Sequence, residues 1–63
     1  MGQKLVQFYD FAKKQGGMQM QMRLAMKTGL PSSKASEAPD SPDNIAKFQT
    51  AIKEVTGQPA PIS

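Results

Sequence analysis

The chain has 63 residues, of which 38% are apolar, and its formal net charge is +3. A chain of this length forms one small domain at most, and such a domain hides only about 60% of the surface that its unfolded chain exposes. Cysteine and histidine are absent, which excludes disulfide bonds, an ordinary zinc site and the two residue types best suited to act as nucleophile and base. We therefore expect a protein that is not an enzyme and holds no cofactor.

Charge is divided unevenly between the two halves of the chain. Residues 1–30 carry five basic side chains and one acidic side chain, whereas residues 31–63 carry three basic and four acidic ones. A basic half suits a polyanionic partner. No apolar run reaches the roughly 20 residues of a membrane span, and the first residues lack the apolar segment of a signal peptide. These patterns predict a cytoplasmic protein without a membrane partner.

The first predicted helix covers residues 4–15. Its apolar side chains recur at positions i, i+3, i+4 and i+7, as on one side of a helix: Leu5, Phe8, Tyr9 and Ala12. Gly16 and Gly17 follow. Because glycine readily takes the left-handed conformation that ends helices, we expect the first helix to stop there.

Residues 18–27 give two conflicting signals. Apolar and polar side chains alternate, which is typical of a strand, yet the residue types are good helix formers and none is β-branched. A lone strand has no partner strand to satisfy its backbone hydrogen bonds, so we favour a helix. Gly29 and Pro31 then fit the end of that helix.

The last predicted helix has the clearest boundaries. Ser41 suits the N-cap, Pro42 the first helical position and Asp43 the first turn, and Gly57 ends the helix. Its apolar residues share one narrow side: Ile45, Phe48, Ile52 and Val55. The intervening residues 32–38 fit either two turns of helix or a loop.

These elements predict an all-α fold, a small bundle of three to four short helices, with a single domain at residues 1–57 and a flexible tail at 58–63. The apolar positions on the predicted helices and turn supply the candidate core: Leu5, Phe8, Met22, Leu24, Leu30, Ile45, Phe48, Ile52 and Val55.

Residues 21–38 resemble a helix-turn-helix. Ala25 is a small residue where two helices would cross, Gly29 supplies a positive φ four residues later, and Leu30 fills the corner after the turn. The pattern is similar to helix-turn-helix domains of the lambda-repressor-like and LacI-like kinds, which place one helix before the motif and one after it. The helices predicted at residues 4–15 and 41–56 occupy those places.

The resemblance implies double-stranded DNA as partner. The second motif helix would then present Ser32, Ser33 and Ser36 to the major groove, and phosphate contacts would come from Gln21, Lys27 and Lys34. A dimer would be expected, because one such module gives limited affinity. Arg, Asn and Gln are absent from residues 32–38, so specific base contacts would be weak or made elsewhere.

Three alternatives remain open at this point. The first is a non-enzymatic helical protein-interaction module, such as a homodimer, because residues 18–27 carry apolar side chains on two sides of the predicted helix. The second is a Cu(I) site, since thioethers are soft ligands; its members would be Met18, Met20, Met22 and Met26. The third is a membrane-surface helix in the basic, aromatic first segment, where packing of the aromatic side chains in a core is the favoured interpretation.

Overall fold

The computed structural model describes residues 3–62, which form an all-helical domain. The elements are α1 (Gln3–Thr28), α2 (Ser32–Ala35) and α3 (Pro42–Thr56), and the described residues contain no strand. The all-α bundle predicted from the sequence is confirmed. Positions 1, 2 and 63, which the predicted domain and tail include, lie outside the described residues.

Helix α1 is broken at Gly17, which has φ 73° and ψ −156°. The break divides α1 into a first segment (residues 3–16) and a second segment (residues 18–28). The side-chain amide of Gln21 donates a hydrogen bond to the carbonyl of Tyr9 at 3.0 Å. In a straight helix these residues would be about 18 Å apart. The second segment is therefore folded back against the first.

The core lies between the first segment of α1 and α3, and the second segment closes it. Phe48 of α3 is fully buried between two aromatic rings of α1. Its ring centroid lies 5.6 Å from that of Phe8 and 5.9 Å from that of Tyr9, the latter in an edge-to-face arrangement. The buried apolar residues are Leu5, Phe8, Tyr9, Ala12, Leu24, Ala35, Phe48, Ala51, Ile52 and Ala60.

Most of the predicted core residues lie inside, and one does not. Five are buried, while Leu30, Ile45 and Val55 are half-buried. The prediction that Met22 belongs to the core is wrong, because its side chain is 66% exposed. Leu24 and Thr28, four residues apart, form the buried side of the second segment. Met22 is two residues from Leu24, about 200° around the helix, and so points away.

A tight turn connects α1 to α2. Gly29 has φ 72°, and its amide donates to the carbonyl of Ala25 at 2.8 Å. The Thr28 hydroxyl donates to the Leu24 carbonyl at 2.8 Å and accepts from the amide of Leu30 at 3.3 Å. These bonds satisfy the polar groups of a buried threonine locally.

Residues 32–38, for which the sequence left helix and loop open, contain one helical turn. Helix α2 has four residues, and only Ala35 of it is buried. The amides of Glu37 and Ala38 then donate to the Lys34 carbonyl at 3.1 and 2.9 Å, which forms a turn. The helical surface that residues 32–38 expose is therefore only one turn long.

Residues 36–41 bring a carboxylate to the start of α1. The amide of Lys4 donates to both carboxylate oxygens of Asp40, at 3.3 and 3.4 Å. Amides in the first turn of a helix have no partner within the helix, and the helix dipole favours an anion there. Asp40 thus caps α1 from a distant part of the chain.

Helix α3 has the caps that the sequence predicts. The Ser41 hydroxyl accepts from the Asn44 amide at 3.2 Å. Gly57 follows the helix with φ 81°, and its amide donates to the Lys53 carbonyl at 2.8 Å. Residues 58–62 then return to the domain: Ala60 is buried, and Gln49 donates a side-chain hydrogen bond to the carbonyl of Ile62.

Replacing Ser41 with alanine is expected to lower the free energy of unfolding by about 1 kcal/mol, because an amide of the first turn of α3 loses its acceptor. Urea denaturation followed by circular dichroism measures the change. Ser33→Ala is the control, since Ser33 is exposed within α2. Equal losses in the two variants would contradict a capping role for Ser41.

Candidate functional site

Of the six residues predicted to contact DNA, five belong to α2, to the turn after it or to the groove beside it, and Lys27 lies apart. Ser32, Ser33 and Lys34 are exposed on α2, and Ser36 is exposed in the following turn. The Ser36 hydroxyl donates to the Ser33 carbonyl at 2.7 Å. These four side chains are close together because they belong to one short segment.

The other two predicted contacts are engaged within the fold. Gln21 is half-buried, and its amide holds the two segments of α1 together through the Tyr9 carbonyl. Lys27 is exposed and forms an ion pair with Glu54 of α3, with 3.4 Å between Nζ and Oε2. Gln21 lines the same groove as Ser32, whereas Lys27 lies on the opposite side of the second segment, beside α3.

Among the described residues, the most exposed large apolar side chains lie on one side of the second segment of α1. Met18, Met22 and Met26 are 75%, 66% and 84% exposed. They occupy positions i, i+4 and i+8, so they follow one line about 12 Å long. We call this surface the methionine face. Met20, by contrast, is half-buried and packs against the core.

Two shallow grooves run beside the methionine face. The first, of about 320 Å³, lies toward α3 and is lined by Arg23, Met26, Lys27, Glu54 and Val55. The second, of about 240 Å³, lies toward α2 and is lined by Tyr9, Met18, Gln21, Met22, Ala25, Pro31 and Ser32. Each groove has at least one methionine of the face in its wall.

The border of the methionine face toward α3 carries two basic side chains and one acidic one, namely Arg23, Lys27 and Glu54. Residues 11–36 contain five basic side chains and no acidic one. Lys27 has a partner in Glu54, whereas within residues 4–62 no carboxylate lies within 4 Å of the Arg23 guanidinium. Arg23 thus borders the face with a charge that the described part of the chain does not neutralise.

Tyr9 forms the floor of the groove toward α2. Its hydroxyl donates to the Leu30 carbonyl and so ties the turn before α2 to the first segment of α1. Burial raises the pKa of the Tyr9 hydroxyl above 10.0, because the charged phenolate is poorly solvated there; the nearby Thr28 hydroxyl opposes this increase.

Alkaline pH is expected to destabilise the fold through Tyr9. Since the pKa in the folded state exceeds that of the unfolded chain, this contribution is fully present below pH 10.0 and is lost as the pH rises through the pKa of the folded state. Tyr9 is the only tyrosine, so absorbance at 295 nm measures its titration directly. In Tyr9→Phe the loss of stability above pH 10.0 should be smaller. An identical alkaline loss in this variant would show that Tyr9 is not its source.

Of the four methionines proposed as copper ligands, three share the methionine face and the fourth does not. Met18, Met22 and Met26 point outward, while Met20 contacts the core from the other side of the helix. A separate kind of site, three or more Asp or Glu side chains placed to hold a metal ion, is absent from residues 3–62. The methionine face therefore offers an apolar contact surface with a basic border.

Comparison with protein-family models, curated proteins and solved structures finds no match for this chain. The resemblance to a helix-turn-helix domain stays a prediction. None of the helices within residues 3–62 combines the length and the apolar character needed to cross a membrane.

The sequence contained a signal for the methionine face. The spacing of Met18, Met22 and Met26 already places them on one side of a helix. Sequence reasoning assigned Met22, on that side, to the core. It did not single out Arg23. The position of Arg23 in the groove toward α3 depends on how α1 folds back, which the sequence does not show.

Proposed function

We propose that this protein is a non-enzymatic protein-interaction module that binds a partner protein through the methionine face. The observation that carries the proposal is the exposure of three adjacent methionines, each at least 66%, in a domain whose aromatic rings are buried or half-buried. Contiguous exposed apolar surface is typical of interaction sites. Methionine suits such a site because its flexible, polarisable side chain adapts to the shape of a partner.

The energetics fit a reversible complex. Covering the exposed parts of the three methionines contributes about 3–7 kcal/mol, at roughly 1.5–3 kcal/mol for a fully buried side chain. Association itself costs several kcal/mol in lost translational and rotational freedom. The methionines alone therefore support weak binding, and further contacts in the two grooves supply the remainder.

Photo-crosslinking tests the proposal. In cells that incorporate a diazirine analogue of methionine, we expect covalent adducts to form at positions 18, 22 and 26 and not at the half-buried position 20. The adducted protein is then identified and purified, and its affinity is measured by calorimetry. Binding should be lost when Met18, Met22 and Met26 are all replaced by glutamine.

Thr50→Gln is the control variant for this experiment, because Thr50 is an exposed residue of α3. Its affinity for the purified partner should equal that of the unmodified protein. Adducts confined to other positions, or unchanged binding by the triple glutamine variant, would overturn the methionine face as the interaction site.

Binding of double-stranded DNA is a second candidate function. Its support is the exposed group Ser32, Ser33, Lys34 and Ser36, which follows a glycine with positive φ and belongs to a part of the chain without acidic side chains. Affinity for a mixed-sequence duplex should then fall as the salt concentration rises. Light scattering with and without duplex separates DNA binding from self-association. Absence of salt-dependent binding at low ionic strength would remove this candidate.

A further inference from the structure

The shape of the methionine face fits the apolar side of another helix. Met18, Met22 and Met26 form a row with about one side chain per turn; the groove toward α2 lies beside Met18 and Met22, and the groove toward α3 lies beside Met26. An amphipathic helix repeats its apolar side chains with the same spacing. Its central residues would contact the methionines, and its flanking residues would reach the two grooves.

The charge at the border selects among such helices. Arg23 lines the groove toward α3 and has no carboxylate within reach in residues 4–62. Lys27 lines the same groove, where its charge is paired with that of Glu54. A partner with carboxylates beside its apolar side complements this border, whereas a basic partner would be repelled.

A second copy of this chain does not provide that complement. If two methionine faces packed antiparallel around Met22, Arg23 of both copies would lie on the same border, only about 3 Å apart along the helix axes. In a parallel pair, each Arg23 would meet the uncharged border formed by Gln21 and Ala25. The carboxylate nearest to this border in either copy is Glu54, which is already paired with Lys27, and the first arrangement brings like charges together.

We infer that the methionine face binds an amphipathic helical segment with acidic residues beside its apolar side. This inference rests on the proposed function and specifies the partner's chemistry. The methionines contribute apolar contact without strong geometric demands, and Arg23 provides the selection by charge.

Three synthetic helical peptides with identical leucine and alanine positions test the inference. Their flanking residues are all glutamate, all glutamine or all lysine. Each peptide carries fluorescein and is titrated with the full chain at low salt, with fluorescence anisotropy as the readout. The glutamate peptide should bind at least about 10-fold more tightly than the glutamine peptide, and the lysine peptide should bind most weakly.

Two variants locate the interaction. Arg23→Glu should reverse the order of the charged peptides, whereas replacing all three methionines of the face with glutamine should abolish binding of every peptide. Lys47→Glu makes the same charge change on the exposed surface of α3 and should leave the order unchanged. Circular dichroism of each variant verifies that it is folded.

The outcomes separate this inference from the proposed function. Equal affinity for all three peptides, lost in the triple glutamine variant, would overturn the acidic preference and leave the methionine face as a docking surface. Self-association through the face without peptide binding would replace the acidic partner with a second copy. Binding to anionic lipid vesicles in place of the peptides would assign the face to a membrane and overturn both. Absence of all these interactions would overturn the inference, while the crosslinking experiment would still decide the proposed function.

Discussion

Replacing Phe48 with alanine is expected to lower the free energy of unfolding by about 3–5 kcal/mol. The ring of Phe48 is fully buried and contacts both Phe8 and Tyr9. Its removal therefore leaves a cavity between α1 and α3. A chain of 63 residues has a total stability of only about 3–9 kcal/mol. The variant should therefore lose at least about a third of this stability and melt at a markedly lower temperature.

Thermal and urea denaturation followed by far-ultraviolet circular dichroism measure this effect. Phe11→Ala is the matched control, because Phe11 is half-buried and packs at the edge of the same core. It removes the same atoms and should cost less than half as much. If Phe48→Ala and Phe11→Ala had the same melting temperature, the packing of Phe48 against Phe8 and Tyr9 would not be the centre of the core.

Replacing Gly17 with alanine is expected to cost about 1–3 kcal/mol. The backbone at Gly17 has φ 73° and ψ −156°, a combination that is essentially restricted to glycine. A side chain built there meets no atom within 4 Å, so crowding does not contribute. The loss arises from the backbone alone, and it acts at the position where the second segment of α1 turns back.

Chemical synthesis allows a control with the same side chain. D-alanine has mirror-image backbone preferences and accepts the conformation found at position 17. The protein with L-alanine should melt roughly 4–8 °C lower for each kcal/mol lost, whereas the protein with D-alanine should retain the original melting temperature. Equal melting temperatures for the two proteins would contradict a strained backbone at this position.

Elements specified by neighbouring residues could be predicted from the sequence. Helix α3 begins and ends as expected, because the Ser41 cap and the Gly57 terminus act over one helical turn. The break at Gly17 was also predictable, since glycine tolerates positive φ. In both cases the chemistry of a few adjacent residues decides the backbone.

The orientation of the second segment of α1 could not be predicted in the same way. Both of its sides are apolar, and the side that faces inward includes Thr28, whose hydroxyl is satisfied by the Leu24 carbonyl. Because Thr28 is polar, a pattern of apolar residues does not identify this side of the helix as the buried one. The error for Met22 has this origin. The methionine face and its grooves depend on the same orientation, so they emerge only from the folded chain.

The contact between Phe8 and Phe48 has a consequence for how fast the domain forms. These residues are separated by 40 positions, and closing a loop of that length costs about 3 kcal/mol in chain entropy. The helices themselves form within about a microsecond. We therefore expect the encounter of α1 with α3 to limit the folding rate, with the Asp40 carboxylate at the Lys4 amide as a second contact across the same closure. Helical domains are among the fastest-folding proteins, but the 40-residue separation between Phe8 and Phe48 should slow the folding of this one.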